Sequence, residues 1–231
     1  AAAEAVHRKV DGATEGTVRE FLEEETRRRP PIPFSTTQFV AEATRLGLGA
    51  ATVMRIGEDL YTQGLISYPR TDNTVYPRGL GLRSLVEKFR EGPFAEAAEY
   101  VLQQPSFRPT RGRSETTDHP PIYPTGAVDP KKLRPDHAKV YELVVRRFLA
   151  TVAPDAIGRA RSTTVEIRGE AFRAKGQTIT DPGWYRVYPY SKPEELLLPA
   201  LTAGRTIAVR QIELVEDQTR PPRRFTQGSL I

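Results

Sequence analysis

Tyr68, Arg70 and Asp72 stand at alternating positions in Gly64-Leu65-Ile66-Ser67-Tyr68-Pro69-Arg70-Thr71-Asp72-Asn73. In extended chain, residues two apart share a side. The phenol, the guanidinium and the carboxylate therefore crowd one surface, with Pro69 fixing the backbone between the first two. A cation beside a phenol favours the phenolate, and the same cation holds a phosphate. The chemistry this predicts is nucleophilic attack by Tyr68 on a phosphate gripped by Arg70. The competing reading is a tyrosine packed at a strand end beside an Arg–Asp surface pair, an arrangement that imitates a site. Tyr61 and Tyr76 lie close in the chain but lack the adjacent arginine, and Tyr61, at a helix end, is expected to pack.

The elements that must position this loop come just before it. Ser35 to Leu46 is expected to be a helix opened by a capping box, Ser35-Thr36-Thr37-Gln38, with Phe39, Ala43 and Leu46 on its apolar face. Gly47-Leu48-Gly49 turns the chain into a second helix, Ala50 to Gln63, that Gly64 stops. Two helices around a glycine turn, followed by strand-like Leu65-Ile66, make a helix-turn-helix pattern with a wing-like follower. That pattern supports a rival function: a non-enzymatic winged-helix DNA-binding module.

Further out, Ala1 to Val10 reads as a helix tail and Gly16 to Glu24 as a strand. The Arg27-Arg28-Arg29 run and the connector Pro30-Pro31-Ile32-Pro33 follow. Helices are expected over Arg83 to Phe89, Phe94 to Leu102 and His137 to Thr151. The irregular tract Pro105 to Pro130 holds Arg111-Gly112-Arg113 and His119. Strands are expected over Ala160 to Ile167, Ala171 to Ile179, Trp184 to Tyr190 and Arg205 to Val215. This order predicts an α+β chain in which a helical, winged-helix-like domain (34–157) is inserted between two parts (1–33 and 158–231) of a β-rich domain.

The 231 residues suffice for one large domain or two modest ones with real cores. A net charge of +5 fits a polyanionic partner, and only 7 of the 34 basic residues are lysines. The absence of cysteine excludes disulfides, thiol catalysis and cysteine-bearing zinc fingers, and it fits a cytoplasmic setting at the nucleoid. No apolar run approaches a transmembrane span. The chain opens on Ala1-Ala2-Ala3-Glu4 without an initiator methionine, so it reads as a piece of a longer protein.

Gly64 to Asp72 resembles the active-site tyrosine motif of type IA DNA topoisomerases, most closely the archaeal topoisomerase I form. Asp59-Leu60-Tyr61-Thr62-Gln63 and Thr117-Asp118-His119-Pro120-Pro121-Ile122 fit the same family. The resemblance implies that Tyr68 attacks a phosphodiester of single-stranded DNA and joins the 5′ phosphate, that Arg70 fixes the tyrosine and the scissile phosphate, and that Asp72 orients Arg70. It further implies that His119 contacts backbone phosphate. Pro120-Pro121-Ile122-Tyr123-Pro124-Thr125 departs from the bacterial wording E-A-I-R-P-T, and Arg111 and Arg113 are candidates to replace the lost arginine contact. Pro221 to Leu230 is similar to the segment at which the family's chain enters its next domain.

No D-x-D carboxylate pair is present, and Glu23-Glu24-Glu25 cannot replace one because consecutive side chains diverge. The family's Mg²⁺ site lies in a Toprim domain, so this piece is expected to bind no metal and to lack strand cleavage alone. Its expected partners are single-stranded DNA and the Toprim and flanking domains of the same chain. The expected overall activity is transient single-strand cleavage, strand passage and religation without ATP, relaxing negative supercoils.

Overall fold

The computed structural model describes residues 2–105, 107–222, 224–226 and 230. The segment from Pro221 to Leu230 thus lies partly outside the described residues. Helices and strands segregate, as the α+β expectation requires, into two compact units. One comprises Ala1–Arg28, Ile157–Asp181 and Pro193–Pro222; the other is built on Arg29–Ala156 and Pro182–Lys192.

The first unit holds helix α1 (Ala2–Val10) and a four-stranded sheet ordered β3-β2-β1-β4. Its strands are β1 (Glu15–Arg28), β2 (Ala156–Ile167), β3 (Glu170–Asp181) and β4 (Thr206–Ala208). β2 and β3 form an antiparallel hairpin in which Ile167 pairs with Glu170, so Arg168-Gly169 makes the turn. Val10, Val18, Val165 and Ile167 form its buried apolar cluster. The last strand is much shorter than the alternation over Arg205 to Val215 predicts. Glu15 pairs with Ala208, and one further bond runs from Val209 N to Thr14 O. Beyond that point β1 has ended, so there is no ladder left to join.

The second unit packs helices α2 (Thr36–Thr44), α3 (Ala50–Thr62), α4 (Leu82–Glu87), α5 (Ala95–Leu102) and α6 (Pro135–Thr151) around one core. α6 is buried on most of its surface, from Val140 and Tyr141 to Phe148 and Leu149. Arg147 is buried with it and has a structural role. Its Nε donates to Ile32 O at 2.8 Å, and its guanidinium lies 4.3 Å from the Phe34 ring centroid. Trp184 to Tyr190 is a correction: Gly183–Arg186 is a 3₁₀ turn, not a strand. Trp184, Val187 and Tyr188 are all buried, a spacing of three and four that is helical, and the alternation along this stretch is incidental. No described helix is long and apolar enough to cross a membrane.

Candidate active site

The tyrosine loop alternates as its sequence predicts. Ser67, Pro69, Thr71 and Asn73 are buried, whereas Tyr68 is half-buried and Arg70 and Asp72 are exposed. The inward residues hold the backbone, because this stretch has almost no ladder of its own. Isolated bridges pair Ile66 with Pro124 and Phe34 with Ile122, so the His119 segment runs beside both. Ser67 Oγ donates to Pro121 O at 2.9 Å and accepts from Tyr123 N at 3.0 Å. Asn73 Nδ2 donates to Thr116 O at 2.8 Å and to His119 O at 3.0 Å, while its Oδ1 accepts from Val75 N at 2.8 Å. Buried polar groups must be paired, and here the pairs join the tyrosine and histidine segments into one piece.

The start of α2 is fixed to the same loop. Ser35 has N-cap backbone geometry but makes no side-chain cap bond, so the predicted capping box does not form. Thr36 instead faces the loop: its N donates to Thr71 O at 2.8 Å, and its Oγ1 accepts from Thr71 N at 2.7 Å. The opening amide of the helix thereby gains a partner. On α3, a Cβ at Gly57 would lie 3.2 Å from Pro69 Cβ and 3.2 Å from Phe39 Cε1. The bare backbone there lets the tyrosine loop pack close against the helix.

The Tyr68 ring touches two others. The Tyr61 ring meets it edge-on with centroids 5.2 Å apart, and the His119 imidazole is tilted against it at 4.7 Å. Tyr61 is 47% exposed and touches the candidate nucleophile rather than filling the core. Arg70 projects outward and donates from Nε and Nη2 to Glu58 Oε1 at 2.9 and 2.5 Å. The Glu58 carboxylate, with a smaller contribution from the Tyr68 side chain, raises the Arg70 guanidinium above its ordinary pKa. This corrects the expectation for Asp72, since the carboxylate that orients Arg70 is Glu58. Asp72 lines a neighbouring cleft of about 580 Å³ shared with Arg111 and Arg113.

Sequence reasoning missed Glu58, which lies one turn before Tyr61 on the exposed side of α3. It also missed what anchors this end of α3. Asp59 Oδ2 lies 3.0 Å from His137 Nε2 and accepts from Arg134 Nη2 at 3.2 Å. The hydrogen bond to His137, followed by the nearby positive charges, holds the Asp59 carboxyl below the ordinary carboxylate range. Among the described residues, no three His, Asp or Glu side chains converge to hold a metal ion. The site can present a phenol, in contact with two rings, next to a guanidinium that reaches solvent.

A family model described as DNA topoisomerase matches residues 1–231. DNA topoisomerase 1 of Archaeoglobus fulgidus is 45% identical over 214 residues, covering 91% of this chain and 32% of that protein. DNA topoisomerase 1 of Thermoplasma acidophilum is 39% identical over 230 residues, covering 99% of this chain and 29% of that protein. Full-length topoisomerase I from Thermotoga maritima has the same fold over 88% of this chain and 34% of its own, with a TM-score of 0.67 at 21% identity. The chain thus spans about a third of the length of these proteins. It belongs to the type IA DNA topoisomerase family.

Proposed function

We propose that this chain carries the nucleophile half of a site that cuts and reseals one DNA strand. Tyr68 Oη attacks the phosphorus of a single-strand phosphodiester and forms a P–O bond to the phenol. The P–O3′ bond breaks; the phenol gives up its proton and the released 3′ oxygen takes one up. One phosphoester replaces another, so reversal reseals the strand without ATP. Arg70 turns from Glu58 to the non-bridging oxygens, where its planar fork suits charge that grows in the transition state. His119, already against the phenol ring, donates to backbone phosphate. The observation that carries this reading is the contact of the Tyr68 ring with His119 and Tyr61, with Arg70 exposed two residues further on.

The described residues do not fit a Mg²⁺ site. This reading assigns the metal, and the acid for the leaving oxygen, to the family's Toprim domain. In it the helical unit serves as a gate, swinging on the β-rich unit while a second strand passes. The family match favours this reading over a duplex-reading winged helix.

The test uses the full-length protein containing these residues, with Mg²⁺ and a labelled single-stranded oligonucleotide. A denaturant-stable protein–DNA adduct is expected, absent from Tyr68→Phe and absent when residues 1–231 are used alone. An adduct that persists in Tyr68→Phe would overturn the assignment of the nucleophile.

A further inference from the structure

α3 ends by presenting two neighbouring carboxylates, Glu58 and Asp59, and each is met by an arginine. The two pairs differ in how firmly they are held. Asp59 has both Arg134 and the buried His137 against it, so it ties α3 to the start of α6. Glu58 has Arg70 as its one ion-pair partner among the described residues, and this pair stands in water. The Arg70 and Glu58 side chains are 59% and 44% exposed.

The contact shows which part of the guanidinium is taken. Arg70 Nε and Nη2 both donate to a single oxygen, Glu58 Oε1. Those two donors make up an edge with which an arginine grips an oxyanion through parallel bonds. A phosphate brought to the loop meets the same edge, so carboxylate and phosphate compete for it. An ion pair open to water on both sides is weak, whereas a desolvated one is costly to break. Glu58 therefore restrains Arg70 without locking it. The carboxylate is within reach because its neighbour Gly57 lets Pro69 pack close to α3, so the contact that seats the loop also supplies the competitor.

We propose that Glu58 is a latch on Arg70, holding the guanidinium at rest when no DNA is bound and yielding it to the scissile phosphate when a strand arrives. The proposal rests on the reading of Arg70 as a phosphate ligand and adds to it a positioning residue that acts only through Arg70. Its consequence is that Glu58 weakens the grip on DNA, because every binding event must first open the pair.

The experiment uses the full-length protein in a Tyr68→Phe background, where no adduct through Tyr68 forms. A fluorescent single-stranded oligonucleotide is titrated and followed by anisotropy. Glu58→Gln keeps the size of the side chain and removes its charge. It is expected to tighten binding about threefold, within the weight of an exposed ion pair, with little change in melting temperature. With Arg70→Ala also present, the same substitution is expected to leave affinity unchanged, since the latch then has nothing to hold. Unchanged affinity in Glu58→Gln alone overturns the latch. Weaker binding overturns it too, by showing that Glu58 steadies Arg70 on the phosphate. Tightening that persists in Arg70→Ala assigns the effect to plain repulsion between carboxylate and DNA, and the latch falls. It falls equally if Arg70→Ala binds as tightly as its parent. In each of these cases a Tyr68-dependent adduct in the otherwise unaltered protein leaves the nucleophile standing, so only the latch is lost.

Discussion

Asp59 gives the candidate site an acid limit. Its carboxyl is held below the ordinary range, first by the hydrogen bond with His137. A depressed carboxylate stabilises the fold above its unfolded pKa, and that contribution is lost as pH falls through the folded value. The loss therefore falls below about pH 4, the usual aspartate range. Asp59→Asn is expected to flatten that part of the pH–stability curve by lowering stability near pH 6 with little effect at pH 2, as read from urea midpoints between pH 6 and 2. The outward placement of Tyr68, Arg70 and Asp72 was legible in the sequence because a period of two is a local property. The Glu58 partner of Arg70 was not, since it depends on how α3 is rotated against the loop, and nothing within the loop encodes that.

At the scale of elements, the close approach of α3 to the loop separates stability from geometry. Gly57→Ala gains up to about 1 kcal/mol of helix propensity. It also places a methyl 3.2 Å from Pro69 and Phe39, so the loop must give by a few tenths of an ångström. The expected outcome is a melting temperature changed little and an adduct-forming rate lowered roughly tenfold, because small displacements of a nucleophile are costly. Single-turnover cleavage by the full-length variant checks this. The long elements were readable: α6 from its apolar spacing and the β2–β3 hairpin from its alternation. The misread stretch, Trp184 to Tyr190, is rich in aromatic residues that suit strands, and tertiary packing on Pro154 and Arg147 decided its shape instead.

For the whole molecule, the two units differ in how much core each holds. The sheet unit buries a cluster of Val10, Val18, Val165 and Ile167, with partly buried residues packed around it. The helical unit buries a far larger one, including Phe34, Phe39, Tyr141, Phe148 and Trp184. The single tryptophan of the chain, Trp184, belongs to the helical unit. Urea is expected to unfold the sheet unit first, by roughly 1 M, given the usual dependence of stability on denaturant. Circular dichroism should therefore change before Trp184 fluorescence does; coincident transitions would show that the units unfold together.

The stitching of the tyrosine loop also bears on how the protein is made. Thr36 reaches Thr71 across 35 positions of chain, and Ser67 reaches Pro121 across 54. During synthesis Tyr68 therefore leaves the ribosome well before the segment that braces its loop and supplies His119. Until that later segment has emerged and docked, the nascent chain carries Tyr68 on an unbraced loop. On the proposed reading, the candidate nucleophile thus acquires its setting only late in synthesis.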